Sequence, residues 1–351
     1  MKTVDAIERL GVDYHFEDEI RKFMDVLIST SIDENDLAGV ALRFRLLRQH
    51  HYDITCDEVL RSFKDENGEH FKDNVRSDVR ILLSLYEAAH LGKLAEDSLT
   101  DAIQFTTSCL SSILEANQLP HHVLERVRHA LDTPSQQRMK RLEAKLYISI
   151  YEKDDEGDQD ILELAKLDFH ILQLMHWDEV KSISLWYKEL NPGSMLGEYV
   201  RERPVECYFW ALGVFHEPKY AKALDDVFSW AITFPKIIEN AAMVSRLMGD
   251  ISGHECEKER SNVATTVDCY IKEHGVTVEQ AKEALGSLVE EQWRSINEEF
   301  LTNTMVPVEV LTRVVNLARV MECMYKNLDG YTHSSETADP IDKLLNSCVN
   351  H

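Results

Sequence analysis

The segment Arg246-Leu-Met-Gly-Asp-Ile-Ser-Gly-His-Glu-Cys-Glu-Lys-Glu-Arg260 holds the most suggestive set of residues that could do chemistry. On a helix, Gly249, Gly253 and Glu257 share a face at steps of four, with Asp250, His254 and Lys258 in the adjacent row. Oxygen ligands at that spacing could hold Mg²⁺, which takes one or two carboxylates and completes its shell with water and substrate phosphates. Spacing alone describes a solvated charged face equally well, and that is the commoner outcome. Arg201-Glu-Arg203 brings two guanidinium groups together, the group suited to bidentate phosphate contacts, with surface ion pairing as the ordinary alternative. Trp210 and Tyr331 could line an apolar pocket and stabilise a cation with their ring faces, although core packing is the usual fate of such rings. Asp225-Asp226 resembles an acidic metal pair, yet Val-Phe-Ser-Trp230 behind it supplies no further carboxylate. No G-x-S-x-G, H-E-x-x-H, P-loop or dinucleotide-binding glycine motif is present, so the familiar hydrolase, metalloprotease and nucleotide-binding readings lapse.

The elements that must position these groups are helices. Ile20, Phe23, Met24, Leu27 and Ile28 recur at helical spacing, as do Val79, Leu82, Leu83 and Tyr86. The same period returns at Leu164, Leu167, Ile171 and Leu174, and again at Leu311, Val314, Val315, Ala318 and Met321. No segment alternates as a strand. Gly275 predicts a helix stop, and Thr277-Val-Glu-Gln280 has the capping-box form that starts the next helix, with Ala281, Leu285, Leu288 and Val289 on its apolar face. The acidic run Asp154 to Asp160 around Gly157 predicts a linker, because like charges repel and glycine weakens a helix. That divides the 351 residues into 1–155 and 156–351, each long enough for a core of its own. Asn191-Pro-Gly-Ser194 is expected to be a loop inside the second domain.

Composition narrows the classes of partner. The 38 Lys and Arg against 62 Asp and Glu give a formal charge of −24, which repels nucleic acid and anionic membrane surfaces at long range while leaving room for a local basic pocket. Seven scattered cysteines, with no C-x-x-C, fit reduced thiols rather than a disulfide framework or a zinc module. Neither a signal peptide nor a membrane span is visible, so the expectation is a cytoplasmic protein.

In order along the chain, Asp5-Ala-Ile-Glu-Arg-Leu-Gly-Val-Asp-Tyr-His-Phe16, Ala41-Leu-Arg-Phe-Arg-Leu-Leu-Arg48, Arg141-Leu-Glu-Ala-Lys145, Arg201-Glu-Arg203, Glu206-Cys-Tyr-Phe-Trp210, Arg246-Leu-Met248 and Asp329-Gly-Tyr-Thr332 form a specific set. Together they resemble a plant class I terpene synthase of the sesquiterpene type, over nearly the whole chain. The resemblance implies an all-α protein: an N-terminal helical barrel followed by a C-terminal catalytic bundle. It implies a monomer that ionises a prenyl diphosphate, farnesyl diphosphate above all, with Mg²⁺ or Mn²⁺, and cyclises the carbocation in an aromatic pocket. By that resemblance Arg201, Arg203 and Arg246 bind diphosphate, Trp210 and Tyr331 face the cation, and Asp329 supports the site. The family's second metal motif falls on Gly249, Gly253 and Glu257, with Asp250 as a poor substitute for the first position.

The departures matter as much. The family's aspartate-rich DDxxD motif does not follow Tyr220. Instead Ala221-Lys-Ala-Leu224 joins Asp225-Asp-Val-Phe-Ser-Trp230, which resembles a much later part of the catalytic domain, so a large internal piece is expected to be missing near 221–226. Gly249 and Gly253 have no ligand atoms. Weakened metal binding is therefore expected, since a diphosphate leaving group needs several carboxylates to hold its metal ions. Two readings follow: a terpene synthase with its chemistry impaired or lost, or a non-catalytic remnant, splice form or gene-model fragment. Either way, apolar faces in the second half should lack partners.

Overall fold

In a computed structural model, residues 1–153, 157–190, 224–260 and 264–347 are described. Among these residues the chain is all-α, as expected, and the sole β feature is an isolated bridge between Lys64 and Phe71. The first half contains α1 (Lys2–Arg9), α2 (Glu17–Leu27), α3 (Leu37–Gln49), α4 (Asp57–Phe63), α5 (Asp73–Ser77), α6 (Val79–Ala89), α7 (Asp97–Ala116), α8 (His121–Asp132) and α9 (Lys140–Tyr151). The long α10 (Gln159–Leu190) follows. The second half adds α11 (Leu224–Ile232), α12 (Lys236–Arg260), α13 (Thr266–His274), α14 (Val278–Thr302), α15 (Val308–Met324) and α16 (Ala338–Leu345).

Local chemistry sets the helix ends. Asp36 and Asp78 start α3 and α6 by accepting from the amides of Gly39 and Arg80. The predicted box of Thr277 and Gln280 starts α14, and a second box, Thr265 with Asp268, starts α13. Gly275 ends α13 at φ +65°, the left-handed conformation that glycine adopts without a Cβ clash.

Among the described residues, three apolar clusters hold the helices together. Phe44, Phe63, Leu82, Leu85, Leu99 and Leu110 bury between α3, α4, α6 and α7. Leu10, Met24, Leu46, Leu47, Ile148 and Phe169 join α1, α2 and α3 to α9 and the start of α10. Trp230, Ile237, Val244, Leu285, Trp293 and Leu311 form the core of α11, α12, α14 and α15. The expected boundary at 155–156 borders residues 154–156, which lie outside the described set. Beyond it, Leu162, Ala165 and Phe169 still bury with the N-terminal helices.

The apolar stripe predicted on α10 is helical but faces the other way. Leu167, Ile171 and Leu174 are 47%, 55% and 55% exposed, and the buried face is Leu162, Ala165 and Phe169 with Gln173. The reason lies in the packing: α10 lays that second face on α9, and α16 covers both. Lys145 and Gln173 donate to the Ser347 carbonyl, and Trp177 Nε1 donates to the Leu345 carbonyl, fixing α16 there.

Buried polar groups join the halves. Asn297 on α14 donates to the carbonyls of His90 and Gly92 at 3.0 and 3.1 Å, and its Oδ1 accepts from Gln136 Nε2. Arg319 on α15 donates through Nε to the Gln136 carbonyl at 2.8 Å.

Candidate active site

The segment from Arg246 to Arg260 is helical and forms the second half of α12. Pro235 precedes this helix, and Ile237, Ala241, Val244 and Leu247 bury one face against α14 and α15. That packing turns Gly249, Gly253 and Glu257 toward the segment after α15. A Cβ on Gly249 would stand 3.7 Å from the Tyr325 ring, and one on Gly253 would stand 3.8 Å from Glu257 Oε1 and 3.9 Å from Asp329 Cβ. These are ordinary contacts, so packing does not demand glycine at either position.

Asp329 organises the segment that faces α12. Its carboxylate accepts from the amides of Tyr331 and Thr332 and from the Thr332 hydroxyl, while its carbonyl accepts from the His333 amide at 2.8 Å. Gly330 fits because a Cβ there would lie 2.7 Å from the Met324 carbonyl oxygen. The structure therefore brings Gly253, Glu257 and Asp329 together. Tyr331 stands beside them with its side chain about half exposed.

Asp250 points elsewhere. It is 3% exposed, accepts from the Thr266 amide at 2.8 Å and from the Thr266 hydroxyl, and pairs with Arg246 at 3.2 Å. His254, one turn on and 1% exposed, contacts Thr265 Oγ1 through Nδ1 at 3.1 Å. The Asp250 and His254 row thus ties α12 to the start of α13. Arg246 is largely exposed apart from its bond to Asp250. Arg201, Arg203 and Trp210 lie outside the described residues, as does the Asn191 to Ser194 segment. Asp225 and Asp226 fall in the first turn of α11.

Sequence reasoning missed two features. Cys256 Sγ and His333 Nε2 approach to 3.2 Å across this site, a pairing between residues 77 positions apart that no local pattern signals. The run Asp154-Asp-Glu-Gly-Asp158 has DDxxD spacing, but Asp158 accepts from the amides of Asp160 and Ile161 and so caps α10 far from α12 in sequence.

Among the described residues no three His, Cys, Asp or Glu side chains gather as a metal site. Glu257 is the one side-chain donor at the three motif positions, and Asp250 is engaged with Thr266 and Arg246. Among the described residues, these donors by themselves do not make up a multi-metal cluster.

This fold, with its motif helix facing the Asp329 segment, can be compared with known proteins. The terpene synthase N-terminal domain family matches residues 1–131, and the terpene synthase family metal binding domain matches residues 188–224 and 222–295. The (-)-germacrene D synthase of Vitis vinifera is 32% identical, with 94% of this chain and 83% of that protein aligned. Sesquiterpene synthase TPS2 of Cananga odorata is also 32% identical, over 98% of this chain and 85% of its own length. The chain belongs to the terpene synthase family, and its relatives include plant sesquiterpene synthases. Isoprene synthase from grey poplar leaves (Populus x canescens) superposes with a TM-score of 0.84 at 23% identity, over 99% of this chain and 90% of that one, which establishes the shared fold. That enzyme has also been solved with three Mg²⁺ ions and dimethylallyl-S-thiolodiphosphate.

The Vitis protein aligns over 465 positions but uses about 330 residues of this chain (94% of 351), so about 135 of those positions have no counterpart here. The two matches to the metal binding domain meet at residues 222–224. Among the described residues, no helix is long and apolar enough to cross a membrane. Cys56, Cys109, Cys256, Cys269 and Cys323 carry free thiols.

Proposed function

We propose that this chain keeps the fold of a sesquiterpene synthase while its Mg²⁺-dependent ionisation of farnesyl diphosphate is lost or greatly reduced. The observation that carries this reading is the pairing of Gly249 and Gly253 with an Asp250 committed to Thr266. Departure of diphosphate places several negative charges on the leaving group, and only preorganised cations lower that barrier. Glu257 by itself cannot anchor them. The junction at 222–224 is where the family's aspartate-rich segment is expected to have been, so the opposing set of ligands is absent as well.

In this reading Arg201, Arg203 and Arg246 still offer guanidinium groups to a diphosphate, Trp210 and Tyr331 still supply aromatic faces, and Asp329 shapes the segment opposite Glu257. The chain acts as a monomer in the cytoplasm and retains weak affinity for prenyl diphosphates without turning them over. Purified protein incubated with farnesyl diphosphate, with and without Mg²⁺ or Mn²⁺, is expected to release neither pyrophosphate nor volatile hydrocarbon. Metal-dependent release of both would overturn the proposal.

A further inference from the structure

Away from α12, a cleft of about 410 Å³ opens between the two halves, with α15 and the end of α14 on one side and α1, α2 and the segment after α3 on the other. Clefts of this size between domains, holding a few convergent polar groups, are the usual form of small-ligand sites. Arginines dominate its charged lining, and most of them are matched. Arg9 and Arg138 share Glu143, Arg45 pairs with Asp5, and Arg48 pairs with Glu96.

Arg319 is different. It is 8% exposed and lines the cleft, yet its hydrogen bonds run to neutral oxygens: the Gln136 carbonyl, Asn316 Oδ1 and Gln136 Oε1. Burial pushes its guanidinium down to about 10, with no carboxylate opposing that effect. An uncompensated buried cation is among the most expensive features a fold can carry. Five N–H groups are available on a guanidinium, and the three bonds leave two for another acceptor. Two further buried polar atoms of the cleft lack partners, Gln49 Oε1 and His51 Nε2, and His51 is held against the Phe300 ring at 4.0 Å. Burial lowers the proton affinity of His51 and keeps its ring neutral, and because the ring donates to the Phe300 carbonyl, Nε2 is left as an unpaired acceptor.

We propose that this interdomain cleft binds a small oxyanion, a phosphate or a carboxylate, on Arg319. The inference stands apart from the α12 site and does not depend on whether that site is active. The anion supplies the missing counter-charge and links α15 to the N-terminal helices, so binding stabilises the union of the two halves.

The test uses the full chain at constant ionic strength, with sodium chloride exchanged stepwise for sodium phosphate or, in a second arm, sodium acetate. A saturable rise in melting temperature is expected in at least one arm, half complete at or below about 1 mM, and the arm that responds names the class of anion. Hydrogen exchange under the same conditions should slow in peptides covering residues 49–52 and 308–319. R319Q should weaken the effect at least ~10-fold, the loss expected for one charge-assisted contact. If R319Q does not fold, T312L, which fills the cleft from the same helix face and keeps the charge, must abolish the response. No saturable response in either arm, or an unchanged response in the variant that folds, would overturn the proposal and leave a water-filled cleft.

Discussion

Glu143 carries more electrostatic responsibility than any single residue of the motif helix. It accepts from Arg9 and Arg138 and contacts His129, and although burial alone would raise its carboxyl, those cations hold it well below the usual carboxylate range. Glu143→Gln is expected to destabilise the chain by about 3 kcal/mol in urea unfolding, because it strands Arg9 and leaves the buried Arg138 with Glu87 as its one carboxylate. Glu322 behaves in the opposite sense. Burial, reinforced by the neighbouring Glu290, raises it to about 7, while Trp293 Nε1 donates to it at 2.6 Å. A folded value above the unfolded one means that its contribution is intact below about pH 4.5 and is lost as pH rises through 7. Glu322→Gln should therefore stabilise the protein by on the order of 2 kcal/mol at pH 8 and by almost nothing at pH 4, measured as the difference in unfolding free energy. At this scale the sequence disclosed residue types better than their partners. Helical spacing correctly set Gly249, Gly253 and Glu257 on one face, whereas nothing local to Asp250 revealed that Thr266, sixteen positions on, would claim its carboxylate.

Helix α10 shows what periodicity can and cannot decide. Its pattern contains two apolar faces, and a period of 3.6 marks both without choosing the one that meets a neighbour. The face with Phe169 packs on α9, while Leu167, Ile171 and Leu174 remain in water, with Met175 and Leu185 also exposed on the helix. Phe169→Ala should cost about 3–5 kcal/mol. Ile171→Lys should change unfolding free energy by less than about 0.5 kcal/mol and lower light scattering on heating, since a charge would interrupt an exposed apolar stripe. Equal costs at both positions would show that the stripe is covered in solution. Ends of helices were more legible than faces. The Thr277 box and the Gly275 stop act within four residues of chain, so their chemistry is complete in the sequence itself.

For the whole molecule, fold class and family were readable because helical period and an ordered set of motifs point the same way. The docking of the halves was not, since Asn297 finds His90 and Gly92 across about two hundred positions. Packing also changes where the first stable unit ends. Because Leu162, Ala165 and Phe169 bury with α1, α2 and α9, limited proteolysis should leave a resistant N-terminal fragment that runs beyond Phe169 rather than stopping at Asp154. A fragment ending near Asp154, read by mass spectrometry, would mean that α10 belongs to the second half alone. The seat of α16 on α9 and α10 has a consequence for synthesis. Trp177 waits for the carbonyl of Leu345, 168 residues downstream, so the side of α10 that this clamp covers stays open while the entire second half is being made. A nascent chain would thus carry an unfinished surface for most of its translation, and its need for chaperones should peak just before residues 338–347 emerge.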